Sequence, residues 1–365
     1  MYSKREIVVK ILSFKYKSKG YSDITAEELV SRRLSEFRNH SYPKRVKKIA
    51  KRYGFFPSTV LALGITENNY QDYLSDTDYL KMGPLNGEYH PWVDNKISLK
   101  YLLGDLASYM PRYFYQIQEG GNIIRLFECP EDCDNSIDGI IELLRKEKSL
   151  AIKRLQGFGG AGFYKVYYDH ENTLYVNDVK YTEEEFVAFL GNLSHYLILE
   201  YLESAGLPAQ IYPKTANSIR VIVGKDGEKQ YHISNFIKFG NKESGYVDNL
   251  TGGGISCPVD ENGEFSFGYT KVDGVMVEID EHPDTHQKLC GRLEEWDTIQ
   301  KMAQEVMNRL PQLTYCGFDF VISDKGVKLL EINDMSGFLT TQKYTPLLKN
   351  KDDNFFLKRL EKLNF

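Results

Sequence analysis

The sequence predicts an α+β protein with a helical N-terminal region, and three observations lead to this fold class. Apolar residues recur at helical spacing from Ala26 to Phe37. From Asp94 onward, short β-branched and aromatic runs alternate with helical stretches. Residues 315–333 alternate with the period of two that is typical of strands, on both sides of a three-residue turn. We therefore expect helices first, and helices mixed with antiparallel strands afterwards.

Size and composition exclude several classes of protein. The chain has 365 residues, enough for two or three domains with their own cores. It contains no run of about 18 apolar residues, so we expect no membrane-spanning helix.

The first residues do not resemble a signal peptide, because Lys10 interrupts their apolar stretch. The chain has five cysteines, an odd number that argues against a full set of disulfides. We therefore expect a cytoplasmic protein with reduced thiols. The close pair Cys129 and Cys133 lacks nearby ligands for zinc.

Charge is distributed unevenly along the chain. Residues 1–60 hold fifteen Lys and Arg against five Asp and Glu, a net charge of +10, whereas the whole chain carries −5. A basic region of this kind attracts an anionic phospholipid surface or a substrate that bears phosphates, or it is simply the solvated face of helices. Because no recognised nucleic-acid motif accompanies the charge, we expect no nucleic-acid partner.

The helical region has its clearest start signal at Thr25, where Thr25 and Glu28 have the spacing of a capping box and Asp23 is the alternative N-cap. A second, basic helix is predicted over residues 46–53 and a third after Pro57. Residues 67–78 and 83–91 read as loops or linkers.

The remaining elements follow from periodicity and from Gly and Pro positions. Helices are predicted over residues 95–103, 137–147, 184–193 and 296–310. Strands are predicted over residues 113–118, 123–126, 150–155, 164–168, 196–202, 217–223 and 231–239.

The hairpin at residues 315–333 carries a candidate metal site. If Ser323 lies opposite Val327, Asp319 lies opposite Glu331, and Asn333 shares the face of Glu331. The apolar residues then point to the other face, towards a core; they are Phe318, Phe320, Leu330 and Ile332. Two carboxylates and an amide form an oxygen ligand set that suits Mg²⁺. The alternative is an ordinary hairpin with an acidic, hydrated outer face.

A glycine-rich loop follows the predicted strand at 150–155. Gly157, Gly159 and Gly162 match G-x-G-x-x-G, but a β-rich run follows where a dinucleotide-binding fold requires a helix. The loop therefore joins two antiparallel strands, and either folds over phosphates as a flap or is a turn without a ligand. Lys153, on the preceding strand, is placed to meet a phosphate. Kinase and P-loop signatures are absent.

Two further features point to an anion. Arg220 lies within an apolar run, and a buried guanidinium requires an anionic partner, either a protein carboxylate or a substrate group. Residues 248–254 form a second glycine cluster, flexible enough to bring backbone N–H groups against an anion.

Together these residues resemble a known family. Lys96, Lys153 with its glycine loop, Glu200, Arg220, Asp319, Glu331 and Asn333 occur in the order found in the ATP-grasp superfamily. Within it, the stretches PKTANSIRVIV, GYVDNLTGGG, EHPDT and GFDFVISDKGVKLLEIN resemble the sugar-transfer-associated ATP-grasp group, a relative of teichuronopeptide-type ligases. The resemblance runs from about residue 94 to residue 348.

This resemblance implies a fold and a division of the chain. ATP would lie between two α+β lobes and their antiparallel sheets. We expect a basic helical region at residues 1–90, a lobe with the glycine-rich flap at 91–195, a lobe with the metal site at 196–348, and a C-terminal helix at 349–365.

The resemblance also implies roles for individual residues. The nucleotide would be bound by Lys96, Lys153, Gly159, Gly160, Ala161, Gly162, Glu200, Tyr201 and Leu202. One or two Mg²⁺ ions would be bound by Asp319, Glu331 and Asn333. Candidate catalytic or substrate-contacting residues are Arg220, Lys238 and Asn249. Two departures stand out. Leu207 replaces an acidic ribose ligand, so either Glu203 or Gln210 makes that contact or the ribose is bound differently. Gly317 replaces an arginine before the metal-binding Asp.

The implied activity is that of a cytoplasmic, Mg²⁺- and ATP-dependent carboxylate–amine ligase. It would join an amine or amino acid to an acidic sugar or its carrier during surface-polysaccharide synthesis, with peripheral contact to an anionic membrane or to a lipid-linked substrate. The alternatives are a sugar or small-molecule kinase with the same ATP site, and a non-catalytic nucleotide-binding partner of a glycosyltransferase.

Overall fold

The computed structural model describes residues 3–156, 160 and 162–363. The helices are α1 (Lys4–Lys17), α2 (Asp23–Glu36), α3 (Lys44–Tyr53), α4 (Pro57–Leu63), α5 (Asp76–Met82), α6 (His90–Asp94), α7 (Lys96–Leu103), α8 (Ile137–Glu147), α9 (Glu183–Gly191), α10 (Gly206–Ile211), α11 (Trp296–Arg309), α12 (Phe338–Tyr344) and α13 (Phe355–Leu363). Within the described residues, no helix has the length and apolar character needed to cross a membrane.

The strands form two large sheets and one small one. They are β1 (Tyr113–Ile117), β2 (Ile123–Arg125), β3 (Ser149–Arg154), β4 (Tyr164–Tyr168), β5 (Leu174–Val176), β6 (Val179–Tyr181), β7 (Tyr196–Glu200), β8 (Ile219–Asp226), β9 (Lys229–Phe239), β10 (Ile255–Pro258), β11 (Glu264–Phe265), β12 (Gly268–Val272), β13 (Val275–Ile279), β14 (Gly291–Arg292), β15 (Tyr315–Ser323) and β16 (Gly326–Asn333). The first sheet has the order β2-β1-β7-β3-β4-β5-β6, and the second has the order β13-β12-β10-β9-β8-β15-β16. The predicted α+β class is confirmed, and β3 and β4 are antiparallel, as predicted for the strands that flank the glycine loop.

The start of α2 corrects one prediction. Ser22, not Thr25, is the N-cap, because Ser22 has extended backbone angles and its hydroxyl accepts the amide N–H of Thr25. Thr25 lies inside the first turn and is buried. The two segments predicted as loops also include the first residues of short helices, since α5 begins at Asp76 and α6 at His90.

Alternating side chains of β7 show how the first sheet is packed. Leu197 and Leu199 belong to a core shared with the second sheet and α11, whereas Ile198 belongs to a core covered by α8 and α9. This follows from the period of two along a strand. All three are nearly or completely buried, and burying such a side chain contributes about 1.5–3 kcal/mol. The first sheet is therefore apolar on both faces, and its inner face lies towards the second sheet.

The hairpin of β15 and β16 has a register that differs from the predicted one. Ser323 lies opposite Gly326 rather than Val327, which alone would move every side chain by one position. A β-bulge between Asp319 and Phe320 restores the pairing of Asp319 with Glu331. The predicted pairing of Ser323 with Val327 is therefore wrong, although the predicted pairing of Asp319 with Glu331 is formed.

The bulge also changes which of two neighbouring leucines faces the core. Leu329 is the partner of Phe320 and is completely buried in the core, whereas the unpaired Leu330 lines the cavity described below. The prediction that Leu330 faces the core is therefore wrong. An extra residue in one strand re-aims the neighbouring side chains, and no Gly or Pro marks this bulge in the sequence.

Candidate functional site

A cavity of about 740 Å³ lies between the inner face of the first sheet and the second sheet. Its walls come from strands β3, β7, β8, β9, β15 and β16, from helices α2, α6 and α7, and from residues 246–249. The turn of the β15–β16 hairpin bridges the two sheets, since Asp324 N–H donates to the Glu203 carbonyl and Ser204 pairs with Ser323. The relative position of the two walls is thus held by backbone contacts.

Most of the predicted site residues in the described part of the chain line this cavity. They are Lys96, Lys153, Gly160, Glu200, Tyr201, Leu202, Arg220, Lys238, Asn249, Asp319, Glu331 and Asn333. Gly162 does not line it. The predicted residues Gly159 and Ala161 lie outside the described residues.

Three neighbouring strands place the central charges in a row. Arg220 on β8 and Glu331 on β16 are both direct cross-strand partners of Asp319 on β15. The Asn333 amide nitrogen lies 3.4 Å from Asp319 Oδ2 and 3.2 Å from Glu331 Oε1. The two carboxylates and the amide predicted from the sequence therefore converge at one end of the hairpin.

Asp319 is the most tightly held of these groups. Arg220 donates two hydrogen bonds to its carboxylate, the Nη2–Oδ2 contact being 2.6 Å, and Lys238 Nζ lies 3.3 Å from Oδ1. Burial of Asp319 opposes ionisation, but the charges of Arg220 and Lys238 outweigh it and hold the pKa of this carboxyl below its usual value. Asp319 is thus the protein carboxylate that pairs with Arg220 in this structure.

Lys96 and Lys153 supply further positive charge beside Glu331. Lys96 is buried at the start of α7, where the Asn95 side chain caps the helix, and its Nζ lies 3.4 Å from Glu331 Oε2. Lys153 Nζ reaches the Leu330 carbonyl at the bulge, 3.5 Å away. Burial and the neighbouring Lys96 lower the pKa of Lys153 to about 8. An anionic ligand at this position would relieve the repulsion between the two ammonium groups.

Glu200 has protein partners on both sides. Its carboxylate accepts hydrogen bonds from the backbone N–H and Nε of Arg112, at 3.1 and 3.0 Å, and from Lys325 Nζ at 2.8 Å. Burial opposes ionisation, but these bonds from Lys325 and Arg112 hold the pKa of Glu200 below its usual value. Because Lys325 lies in the β15–β16 turn, this ion pair is a second link between the two sheets.

Gly317 explains one departure from the family pattern in this chain. A Cβ atom there would lie 2.3 Å from Ser336 Oγ and 2.4 Å from Ser336 Cβ. The Ser336 hydroxyl occupies that space and accepts a hydrogen bond from Arg220 Nη1. The missing side chain at Gly317 therefore makes room for a hydroxyl that accepts a hydrogen bond from Arg220.

We expect Gly317→Ala to lower the free energy of unfolding by about 1–3 kcal/mol, because overpacking displaces a buried hydroxyl from a guanidinium. Urea unfolding would measure this loss of stability. Adding Ser336→Gly should recover part of the loss. The control is Gly191→Ala, whose Cβ would meet no atom within 4 Å. Equal stability of Gly317→Ala and wild type would contradict this assignment.

Sequence reasoning missed another acidic residue at the same end of the cavity. Asp334, directly after β16, accepts hydrogen bonds from the backbone and side-chain amide of Asn86, and its Oδ2 lies 2.8 Å from His90 Nδ1. Burial raises the pKa of Asp334, an effect that His90 opposes. The one sequence feature that could have pointed to Asp334 is its position directly after Asn333, a predicted metal ligand. Its partners lie about 250 positions earlier and were not predictable.

The helical region contributes to the cavity as well. Ile24, Thr25 and Glu28 of α2 line it, as does Met335, which packs with Thr25 around Gly83. No sequence motif linked α2 to the hairpin. The α2 residues of this wall lie outside the stretch that resembles the family.

Residues 80–352 match the family model described as sugar-transfer associated ATP-grasp, which is well over half of the chain. The chain belongs to the sugar-transfer associated ATP-grasp family. The resemblance inferred from the sequence is thereby confirmed. No match was found among curated proteins.

Three solved structures are among those similar to this family member. D-alanyl-alanine synthetase A from Vibrio cholerae is 14% identical, with 75% of this chain and 66% of that chain covered and a TM-score of 0.43. The L-amino acid ligase from Bacillus licheniformis is 9% identical, with 75% and 48% covered and a TM-score of 0.41. The D-Ala:D-Ser ligase VanG from Enterococcus faecalis is 12% identical, with 74% and 60% covered and a TM-score of 0.41. The matched part of this chain spans two thirds or less of each of these proteins.

Other family-like residues have local structural roles. His282 is completely buried, its Nε2 lies 2.8 Å from the Gly240 carbonyl, and its Nδ1 faces the backbone N–H groups of Asp284 and Thr285. It therefore supports the turn at residues 282–285. Neither Glu203 nor Gln210 lines the cavity, and Glu203 instead pairs with Lys165 at 3.0 Å.

The donor set of this ATP-grasp site fits a hard divalent cation. Among the described residues there is no group of three or more His, Cys, Asp or Glu that could hold a metal. Asp319 and Glu331 supply two carboxylates and Asn333 an amide, which suits Mg²⁺ when substrate phosphates provide the remaining oxygens. Asp319 would have to share its oxygens with Arg220 and Lys238.

Proposed function

We propose that this protein is an ATP-dependent carboxylate–amine ligase. The observation that supports this most directly is the convergence of four basic side chains on two carboxylates and an amide in one cavity. The basic residues are Lys96, Lys153, Arg220 and Lys238, and the oxygen ligands are Asp319, Glu331 and Asn333. Positioned positive charge and a divalent cation are what phosphoryl transfer requires, and no protein nucleophile is needed.

The proposed reaction has two steps. A substrate carboxylate oxygen attacks the γ-phosphorus of ATP, and the bond to the β-phosphate oxygen breaks, giving an acyl phosphate and ADP. An amine then attacks the acyl carbon, the bond to the phosphate oxygen breaks, and the amine proton passes to solvent. Mg²⁺ bound by Asp319, Glu331 and Asn333 would neutralise phosphate charge.

The protein residues would divide the remaining work. Lys96 and Lys153 would bind the phosphates of ATP, and Glu200, Tyr201 and Leu202 would line the adenine site. Gly159, Gly160, Ala161 and Gly162 would cover the phosphates. Arg220 would stabilise the acyl phosphate and, with residues 248–254, the tetrahedral oxyanion formed by the amine. For this, Arg220 must exchange part of its bond to Asp319 for one to the substrate. Lys238 and Asn249 would contact the substrate.

The description of the family favours a sugar-linked substrate. We propose an acidic sugar or its carrier as the carboxylate and an amino acid or other amine as its partner, in the synthesis of a surface polysaccharide. Cytoplasmic ATP would drive the reaction. A phosphate-bearing carrier would be attracted to the basic residues 1–60.

The test is Mg²⁺-dependent ATP turnover on a panel of uronic acids and amino acids, with ADP and free phosphate both measured. A ligase releases about one phosphate per ADP, and only when acid and amine are both present. Phosphate that stays on one substrate would instead make the protein a kinase. ATP binding without turnover on free and carrier-linked pairs would favour a non-catalytic partner of a glycosyltransferase.

The lowered pKa of Lys153 predicts how ATP binding depends on pH. Because this pKa lies at about 8 in the protein without ligand, raising the pH from about 7 to about 9 removes most of the positive charge. We expect affinity for ATP to fall roughly tenfold over this interval. Calorimetric titration would measure the fall. Lys153→Arg should abolish it, because a guanidinium stays charged; an unchanged pH dependence would assign it to another group.

A further inference from the structure

We propose that α1 binds the surface of an anionic phospholipid membrane. The helix carries a group of large apolar side chains exposed to solvent: Ile7, Val8, Ile11, Leu12 and Phe14. Ile11 is 68% exposed and Phe14 74%. Nowhere else in the described chain do as many exposed large apolar residues share one element. A contiguous exposed apolar patch of this kind marks an interaction site on a protein surface.

Helical geometry places this group on one side of α1. At 3.6 residues per turn the five side chains fall within an arc of about 160°. The opposite side faces the protein: Val9 and Ser13 are buried, and Tyr16 packs against Tyr21 and receives a hydrogen bond from Arg33 of α2. The exposed residues are thus not the face with which α1 packs on the rest of the chain.

Charge identifies the partner. Lys4 and Lys15 are exposed near the two ends of the apolar side, where long side chains can extend to lipid headgroups.

Helix α3 adds a second basic surface, because its exposed residues Lys44, Arg45, Lys48, Lys51 and Arg52 fall within an arc of about 120°. Residues 1–60 carry a net charge of +10. A second copy of the chain would bring two such regions together and repel, whereas anionic lipid attracts them.

Length decides the mode of binding. α1 has 14 residues and is about 21 Å long, short of the roughly 30 Å of a bilayer core. It would therefore lie in the interface, with the apolar side chains below the headgroups and the lysines at their level.

Membrane binding would bring the cavity close to lipid. α2 packs against α1 and also lines the cavity through Ile24, Thr25 and Glu28. If the proposed ligase acts on a lipid-linked acceptor, this arrangement would hold the site beside the headgroups. That consequence rests on the proposed function, but binding of α1 to lipid does not.

Flotation of the full chain with vesicles tests the proposal without any assay of activity. Vesicles of phosphatidylcholine with 30% phosphatidylglycerol should bind the protein about tenfold or more tightly than phosphatidylcholine alone, and added salt should weaken this. Ile11→Ser with Phe14→Ser should lower binding about tenfold or more. Lys44→Gln with Lys48→Gln should lower it about fivefold for each charge near the lipid.

The matched control is Val179→Ser with Val272→Ser, which removes two exposed valines, 59% and 51% exposed, from other elements. It should bind like wild type. Circular dichroism would establish that every variant is folded, and Ile11→Ser alone is the milder second variant. Absent binding to anionic vesicles, or equal loss in the control, would overturn the proposal. So would a wild-type dimer that Phe14→Ser converts to a monomer, since α1 would then bind a second copy.

Discussion

Replacing Glu331 with Gln should reduce the rate of ADP formation by about a hundredfold to a thousandfold, while leaving the fold intact. The side chain keeps its shape but loses the charge that lies 3.4 Å from Lys96 Nζ and beside Asn333. A carboxylate is a far better Mg²⁺ ligand than an amide, so less phosphate charge would be neutralised in the transition state. Initial rates should be measured over a range of Mg²⁺ concentrations.

The control is Glu228→Gln in the exposed turn between β8 and β9, which should have wild-type rates. ATP affinity of Glu331→Gln measured without Mg²⁺ should change little, because Lys153 remains. Wild-type turnover by Glu331→Gln at every Mg²⁺ concentration would remove the hairpin from the proposed mechanism. If the wild type has no turnover but binds ATP, a role as a non-catalytic nucleotide-binding partner would be favoured.

Replacing Arg220 with Met should lower the free energy of unfolding by about 3–5 kcal/mol, the usual cost of removing one partner from a buried ion pair. The Arg220 and Asp319 side chains are only 12% and 6% exposed, so the ion pair is largely shielded from solvent. The variant leaves Asp319 with Lys238 at 3.3 Å as its remaining cation. Urea unfolding at neutral pH would measure the change.

A double-mutant cycle separates the ion pair from simple loss of packing. Arg220→Met combined with Asp319→Asn should be less destabilised than the sum of the single variants, because the unpaired charge is gone. Arg145→Met removes a partner from an exposed pair with Glu183, where both side chains are about half exposed, and should cost no more than about 1 kcal/mol. If the losses in unfolding free energy of the two single variants simply add in the double variant, Arg220 stabilises the fold independently of Asp319.

The pH dependence of this effect has a definite sign. Arg220 and Lys238 hold the pKa of Asp319 below its usual value. The ion pair therefore adds stability above the pKa of an unfolded Asp, about 3.9, and this contribution is lost as the pH falls through the lower pKa of the folded state. Arg220→Met should accordingly be most destabilised relative to wild type at neutral pH, and less so in acid.

Much of the site could be predicted because its elements are local in the sequence. The strand pattern of residues 315–333, the glycine loop after Lys153 and the apolar run around Arg220 each depend on neighbouring residues. Their order along the chain was sufficient for the family resemblance. The division at residues 90, 195 and 348 stays a prediction, as do the individual roles of the site residues.

Other features could not be predicted, because they join distant parts of the chain. The partner of Arg220 lies 99 positions away, and the partner of Asp334 at Asn86 lies 248 positions away. Neither pair has a sequence signal. The bulge at Leu330 depends on how β16 fits against β15 and the core, and the contribution of α2 to the cavity depends on how the helical region packs on the sheets.

The sequence by itself determined the α+β class, the hairpin with its two carboxylates and the family, because residue type and spacing along one segment specify these. Only the tertiary structure decided which charges neutralise one another, what occupies the space beside Gly317, and that α2 lines the cavity. Those properties depend on distances between segments far apart in the chain, and packing of the two sheets and the helical region sets these distances.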